Sequence, residues 1–141
     1  MRHALAVPRH AWERSDRDRP LTPRGQRQAD ALVGALDEHP FERILSSPAH
    51  RCSDTVLPLA TDRELRVKRS KALGEGRGED ALDLVLDAIE DLVICTHGDV
   101  LHVVLAGLRE LAWPLPSRPR SAKGGTWLLS PKECTYLPPA A

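Results

Sequence analysis

Short unbroken apolar runs alternate along this chain with segments of helical periodicity, and that alternation limits the available folds more than any other feature. Ala29, Leu32, Val33 and Leu36 fall at i, i+3, i+4 and i+7, with Thr22 as N-cap and Pro23 at the first helical position. The spacing recurs at Leu82, Val85, Leu86 and Ile89, and again at Leu101, Val104, Leu105 and Leu108. A shorter helix is expected after Pro48, running to about Leu57. Between these segments lie Arg43–Ser46, Leu65–Val67 and Leu92–Cys95, the last too continuous to face water. Thr126–Ser130 and Glu133–Leu137 read as two final strands around a turn at Pro131-Lys132. Strands alternating with helices make βαβ units, so the expected architecture is a three-layer α/β/α sandwich with a mostly parallel central sheet.

Composition narrows the function classes. A length of 141 residues suits one domain with a real core, and no repeat or internal linker divides it. Twenty Lys and Arg against twenty Asp and Glu cancel, so no global field favours nucleic acid or an anionic membrane. The absence of a long apolar run and of a signal-peptide core predicts a cytoplasmic protein. Cys52, Cys95 and Cys134 are odd in number and lack CxxC spacing, which argues against a disulfide scaffold or zinc ribbon. Pro114–Arg120 reads as a loop, and Pro138–Ala141 as a frayed tail.

Locally the charge is uneven. Residues 2–27 carry seven arginines against three acids, and residues 75–91 carry seven acids against Arg77. Arginine suits bidentate recognition of phosphate or carboxylate, though solvated loops are the plainer reading of the total.

In parallel α/β sheets ligands bind beyond the carboxyl ends of the strands. What stands there is Arg2-His3, then Ser46-Ser47-Pro48-Ala49-His50-Arg51, then Thr96-His97-Gly98-Asp99. Singly, each has a structural reading: His97 before Gly98 can end a strand, and Arg51 can pair with Asp54 at i+3. Glu75 can belong to the acidic solvated stretch that follows it. The ordered set is far more specific than its members.

That set, with Arg19-Pro20-Leu21-Thr22, Gly25, Gln28-Ala29 and Leu73-Gly74-Glu75-Gly76, resembles the histidine phosphatase superfamily, also called phosphoglycerate mutase-like. The pieces occur in the family's order over roughly residues 2–99. They look most like the small bacterial branch that includes phosphohistidine phosphatases and the phosphatase modules of some Nudix-fused proteins. A full mutase is considerably longer. The resemblance implies a single histidine phosphatase domain over residues 1–141, hydrolysing phosphomonoesters or protein phosphohistidine.

It assigns His3 as nucleophile, forming a covalent phosphohistidine, and Arg2, Arg51 and His97 to the phosphate pocket. Cations around the phosphoryl oxygens help attack on phosphorus without a metal or other cofactor. Two guanidiniums near His3 would also keep its imidazole neutral, each repulsion being worth up to ~4 kcal/mol at ~4 Å and an effective dielectric of ~20. Glu75 is the implied general acid, with Asp99 and Glu79 in reserve. Arg9 and Arg14 are possible substrate contacts, and Lys123 a weaker one. Trp12 is a candidate wall of the cleft, whereas Trp113 and Trp127 are assigned to the core. His10, His39, His50 and His102 are read as surface or packing residues, and Cys95 near His97 lacks the further ligands a metal needs.

The implied partner is a small phosphorylated metabolite or a phosphoprotein, with no nucleic acid and no membrane. A rival reading is a catalytically weak phospholigand-binding module using the same anion pocket. A nucleic-acid module has only Trp12 and the N-terminal arginines behind it. One departure stands out. Family members carry several apolar residues before Arg-His, which form a central strand; here only Met1 precedes it. A shortened strand should leave a gap in the sheet, and residues restored ahead of it should raise stability and activity together.

Overall fold

In the computed structural model, which describes residues 1–140, the apolar runs build a parallel sheet and the periodic segments cover its two faces. Strand β1 (Arg43–Ser46) lies in the middle, between β2 (Val67–Arg69) and β3 (Leu92–Cys95), and every pairing is parallel. Neighbouring side chains on β1 enter opposite layers. Ile44 packs with Leu32, Val56 and Leu59 beneath α1 (Pro23–Ala35) and α2 (His50–Asp62). Leu45 packs with Val100, Leu101 and Leu105 beneath α3 (Gly78–Asp87) and α4 (Gly98–Glu110). An antiparallel pair, β4 (Thr126–Leu129) and β5 (Cys134–Leu137), forms a separate two-stranded sheet. The architecture is the expected α/β/α sandwich. Among the described residues no helix is long and apolar enough to cross a membrane.

Four local expectations are corrected. Leu65 is not in a strand, because it completes the C-terminal cap of α2. Glu64 takes φ 56°, its N–H bonds to Thr61 and the Leu65 N–H to Ala60, and Leu65 packs on the core. The strand starts two residues later, at Val67. Helix α2 runs through Pro58 to Asp62 rather than stopping near Leu57, since Val56, Leu59 and Ala60 bury a continuous face. Ile89 lies beyond the end of α3 and is 99% exposed, so the stripe that began at Leu82 does not reach it. The carbonyl of Ala140 accepts from Gln28 Nε2 at 3.3 Å, which ties down a tail expected to fray; Ala141 lies outside the described residues.

The segment that carries His3 is extended but forms only isolated bridges, Arg2 to Thr96 in parallel and Ala6 to Leu21 antiparallel. Its backbone is instead bound residue by residue. The His3 N–H donates to Thr96 O, Ala4 N–H to Thr55 Oγ, and Leu5 N–H to Gln28 Oε1, at 3.0, 2.9 and 3.0 Å. The Leu5 carbonyl accepts from the Thr22 N–H at 2.9 Å. The hydroxyl of Thr22 also accepts from the Gly25 N–H, so one side chain caps α1 where that helix grips Leu5.

Gly25 is where the two backbones touch. A Cβ there would lie 1.9 Å from Leu5 O, and a carbonyl held by the chain on both sides cannot move aside cheaply. Gly25→Ala should therefore cost about 2 kcal/mol or more, read as a drop in urea midpoint at unchanged slope. A melt coincident with the unsubstituted protein would show that α1 does not clamp this segment.

Candidate active site

The carboxyl ends of the strands and the loops beyond them converge on a buried guanidinium. Arg51 follows β1 in the first turn of α2, and 1% of its side chain is exposed. A buried charge needs partners. Its Nη1 donates to Asp16 O at 3.0 Å, and its Nη2 to Asp16 Oδ2 at 3.1 Å and Glu75 Oε1 at 2.5 Å. The expected alternative, an i+3 pair with Asp54, does not form.

His3 stands beside this centre at 5% exposure. Its Nδ1 lies 2.8 Å from the carbonyl of Ala4, an acceptor only, so the proton belongs on Nδ1 and the lone pair on Nε2. Burial pushes its pKa from 6.5 down to about 3; electrostatic repulsion from Arg51, His97 and Arg2 pushes the same way, against the Ala4 hydrogen bond. The guanidiniums act in the expected direction. Desolvation comes first because the ring is enclosed on nearly every side.

His97, just after β3, meets His3 edge-on with ring centroids 5.6 Å apart. Its Nε2 shares a 2.7 Å hydrogen bond with Ser47 Oγ, while Nδ1 lies 3.4 Å from Arg51 Nη2 and 3.7 Å from Glu75 Oε1. Arg2 donates from Nη1 to Ser121 O at 2.9 Å. It fits because residue 98 is glycine: a Cβ there would come within 2.8 Å of the Arg2 guanidinium carbon. The Nε atoms of both Arg2 and Arg51 are buried without a partner. Unpaired buried donors are costly, and two belonging to cations at one site call for an anion.

Glu75 reaches in from the loop before α3. Arg9 Nη2 donates to both of its oxygens at 3.2 Å, and the Gly76 N–H donates to Asp99 Oδ2 at 2.8 Å. Asp99, a reserve acid by sequence, thus anchors the loop that carries Glu75. Thr96 helps, donating from its hydroxyl to Leu73 O at 2.6 Å. Glu79 points outward from the first turn of α3, Lys123 is exposed, and Arg14 lies over the Trp12 ring at 6.0 Å without a contact to the centre. Trp12 is half-buried and donates from Nε1 to Ser15 O within its own loop. His50 approaches Asp18 at 3.7 Å, and His10, His39 and His102 are exposed.

Sequence reasoning missed Asp16 and Ser47. Asp16 accepts from the buried Arg19 at 3.0 Å as well as from Arg51. Partial burial pulls its pKa up, but the Arg19 hydrogen bond and the charges of Arg51, Arg19 and Arg9 hold it below the ordinary carboxylate range. Its only signal was the i,i+3 spacing to Arg19. Ser47 sits in the quoted strand-end motif, but nothing in its spacing foretold a bond to a ring fifty residues away. Among the described residues no group of three or more His, Cys, Asp or Glu is arranged to hold a metal ion.

Comparison with known proteins agrees with this arrangement. The family model of the histidine phosphatase superfamily (branch 1) matches residues 1–81. The chain is 30% identical over 137 residues to an 8-oxo-(d)GTP phosphatase of Mycolicibacterium smegmatis, covering 92% of this chain and 42% of that one. It is thus similar to less than half of that relative. A proposed phosphohistidine phosphatase, SixA, from Nakamurella multipartitia is 29% identical, with TM-score 0.62 over 77% of this chain and 62% of that chain. Its counterpart from Agrobacterium tumefaciens superposes with TM-score 0.76 at 23% identity, over 99% and 95% of the two chains. The chain belongs to the histidine phosphatase superfamily.

The depressed His3 pKa has a consequence for stability. Between about pH 3 and 6.5 the unfolded chain binds a proton at this ring that the folded chain does not. The associated stability is complete above pH 6.5 and is lost as pH falls toward 3, at up to about 1.4 kcal/mol per unit. Asp16 adds a loss in the same direction, centred below its ordinary 3.8. In urea melts from pH 7 to 4.5, His3→Gln should flatten the acid slope by most of that amount. Equal slopes would mean that His3 does not stay neutral in the folded protein.

Proposed function

We propose that residues 1–141 form a single-domain phosphatase that works through a phosphohistidine on His3, with no divalent metal. One observation carries the reading: a histidine kept neutral, its free nitrogen fixed as Nε2, beside two guanidiniums that each have a buried, unpartnered Nε–H. That is the condition of a nucleophile next to a set of oxyanion donors.

In the first step the Nε2 lone pair attacks phosphorus in line, and the bond from phosphorus to the leaving oxygen breaks. Arg51, Arg2 and His97 neutralise the phosphoryl oxygens. Protonated Glu75 gives its proton to the leaving oxygen and becomes the carboxylate. In the second step water attacks the phosphohistidine, Glu75 takes a proton from that water, and the bond from phosphorus to nitrogen breaks. Inorganic phosphate leaves and neutral His3 is restored. An oxygen of Glu75 now contacts Arg51 at 2.5 Å, so substrate phosphate exchanges with this carboxylate on Arg51. The cations do what a metal ion would otherwise do.

The substrate class is a phosphomonoester or a protein phosphohistidine, met at a site whose outer edge, Arg9 and Glu75, is open to solvent. The second reading is a phospholigand-binding module. It is favoured by Glu75 being engaged by Arg51 and Arg9 together, which suits an ion-pair role as well as an acid.

Mixing enzyme with a radiolabelled phosphate ester in EDTA buffer and quenching in alkaline SDS should trap label on His3. The His3→Ala variant should trap none and turn over at background. Turnover that persists in that variant, or that vanishes with EDTA and returns with Mg²⁺ or Zn²⁺, overturns the mechanism. A general acid matters most for poor leaving groups. Glu75→Gln should therefore slow phosphoenzyme formation from alkyl phosphates by roughly 10²-fold and from p-nitrophenyl phosphate far less. Equal slowing of both would leave Glu75 as a binding residue.

A further inference from the structure

Glutamine is ordinarily a surface residue, yet Gln28, in the second turn of α1, is only 5% exposed. A buried amide has to be hydrogen-bonded. Its Oε1 accepts from the Leu5 N–H at 3.0 Å and its Nε2 donates to Ala140 O at 3.3 Å, so both ends agree on which way the amide points. Gly124, with φ 85°, keeps the space for it: a Cβ there would lie 3.0 Å from Gln28 Oε1.

The Leu5 N–H and the Ala4 carbonyl belong to one planar peptide unit. That carbonyl accepts the His3 Nδ1–H at 2.8 Å. The line that starts at His3 Nδ1 and crosses the Ala4–Leu5 peptide therefore ends on the amide of Gln28, and hydrogen bonds chained in this way polarise one another. The preceding peptide unit is held as well. Its Ala4 N–H donates to Thr55 Oγ at 2.9 Å, and its His3 carbonyl accepts from the Gly124 N–H at 2.9 Å. Thr55 and Gly124 thus fix the unit before Ala4, and Gln28 fixes the unit after it, the one that presents the acceptor to the ring.

Given His3 as the attacking residue, as proposed above, we infer that Gln28 is its positioning residue: by holding the Ala4–Leu5 peptide it keeps the His3 proton on Nδ1 and the lone pair on Nε2. Which nitrogen of an imidazole carries the proton is decided by the hydrogen bonds the ring makes. A ring with a pKa of about 3 is neutral at pH 7 in either tautomer, so loosening this peptide moves the proton and leaves the charge unchanged. With the proton on Nε2, that nitrogen has no lone pair with which to attack phosphorus. Among the described residues Gln28 bonds to the backbone of Leu5 and Ala140 rather than to Arg2, Arg51 or His97. Its loss should therefore act on the rate of attack and leave phosphate binding alone.

Three variants test this. Gln28→Met keeps the length and removes the acceptor, Gln28→Asn is one methylene too short to reach Leu5, and Gln28→Glu puts an acceptor back at the same reach. Nitrogen NMR of the His3 ring at about pH 7, assigned by its loss in His3→Gln, should show Nε2 unprotonated in the unsubstituted protein and in Gln28→Glu. The Met and Asn variants should carry the proton on Nε2 in part of the molecules. Single-turnover labelling of His3 by a radiolabelled phosphate ester should slow about tenfold or more in both, at a half-saturating ester concentration within about twofold, and Gln28→Glu should recover the rate. The rate constant comes from folded molecules alone and the amplitude reports their share, so lost stability is not mistaken for lost positioning. A proton that stays on Nδ1 in whichever of the Met and Asn variants folds, an unchanged rate, or a slowing that Gln28→Glu does not relieve overturns the inference. The ring spectrum needs no turnover, so it decides the role of Gln28 even where an unlabelled unsubstituted protein has rejected the phosphohistidine reading.

Discussion

A guanidinium buried to 1% exposure cannot be held in a protein interior unless neighbouring groups balance its charge and accept its protons, and Arg51 makes this demand on the whole carboxyl end of the sheet. Asp16 answers it with a backbone carbonyl and a carboxylate, which fixes the loop between His3 and α1. Glu75 answers it from the far side and brings the loop ahead of α3. Behind it, the Arg51 carbonyl accepts from Thr55 Oγ, and the same oxygen receives the Ala4 N–H next to His3. Three loops and the segment carrying His3 are thus registered on one side chain. Removing either carboxylate would leave the other to balance the charge alone.

The fold was legible where local chemistry and packing agree. The bounds of β1 and β3 match the apolar runs residue for residue, and Thr22 and Pro23 open α1 as their types demand. It was illegible where an apolar residue serves something other than its own element. Leu65 looks like strand and caps a helix; Ile89 continues a stripe beyond the helix that carries it. The centre divides in the same way. His3, Arg51, His97 and Glu75 stand in ordered motifs that a single sequence can display. Asp16 and Ser47 act through contacts across 35 and 50 residues, and nothing in their surroundings in sequence marks such a partner.

Several motif pieces prove to be supports. Thr22, Gly25 and Gln28 are three contacts of α1 with the Leu5 backbone, two residues past His3. Gly98 makes room for Arg2, and Asp99 holds the Glu75 loop. The chain after β3 therefore supplies a ring facing His3, space for Arg2 and an anchor for the Glu75 loop within three consecutive residues. Substituting any of them would disturb geometry at a distance from the residue changed.

The pairing of Arg51 with Asp16 and Glu75 also governs how a substrate would arrive. Arg51 is matched by Asp16 and Glu75, and formal charge cancels across the whole chain. Arg9 and Arg19 share the same two carboxylates, however, and Arg2 adds its charge to the centre, which keeps a positive excess that acts at short range. An approaching phosphate is not drawn in from several Debye lengths away. It is sorted at contact, where the denser charge of a phosphoryl dianion competes with a carboxylate for the same N–H groups. Salt therefore acts on the last Debye length of the approach, while the ion pairs that keep Arg51 in the interior are screened much less.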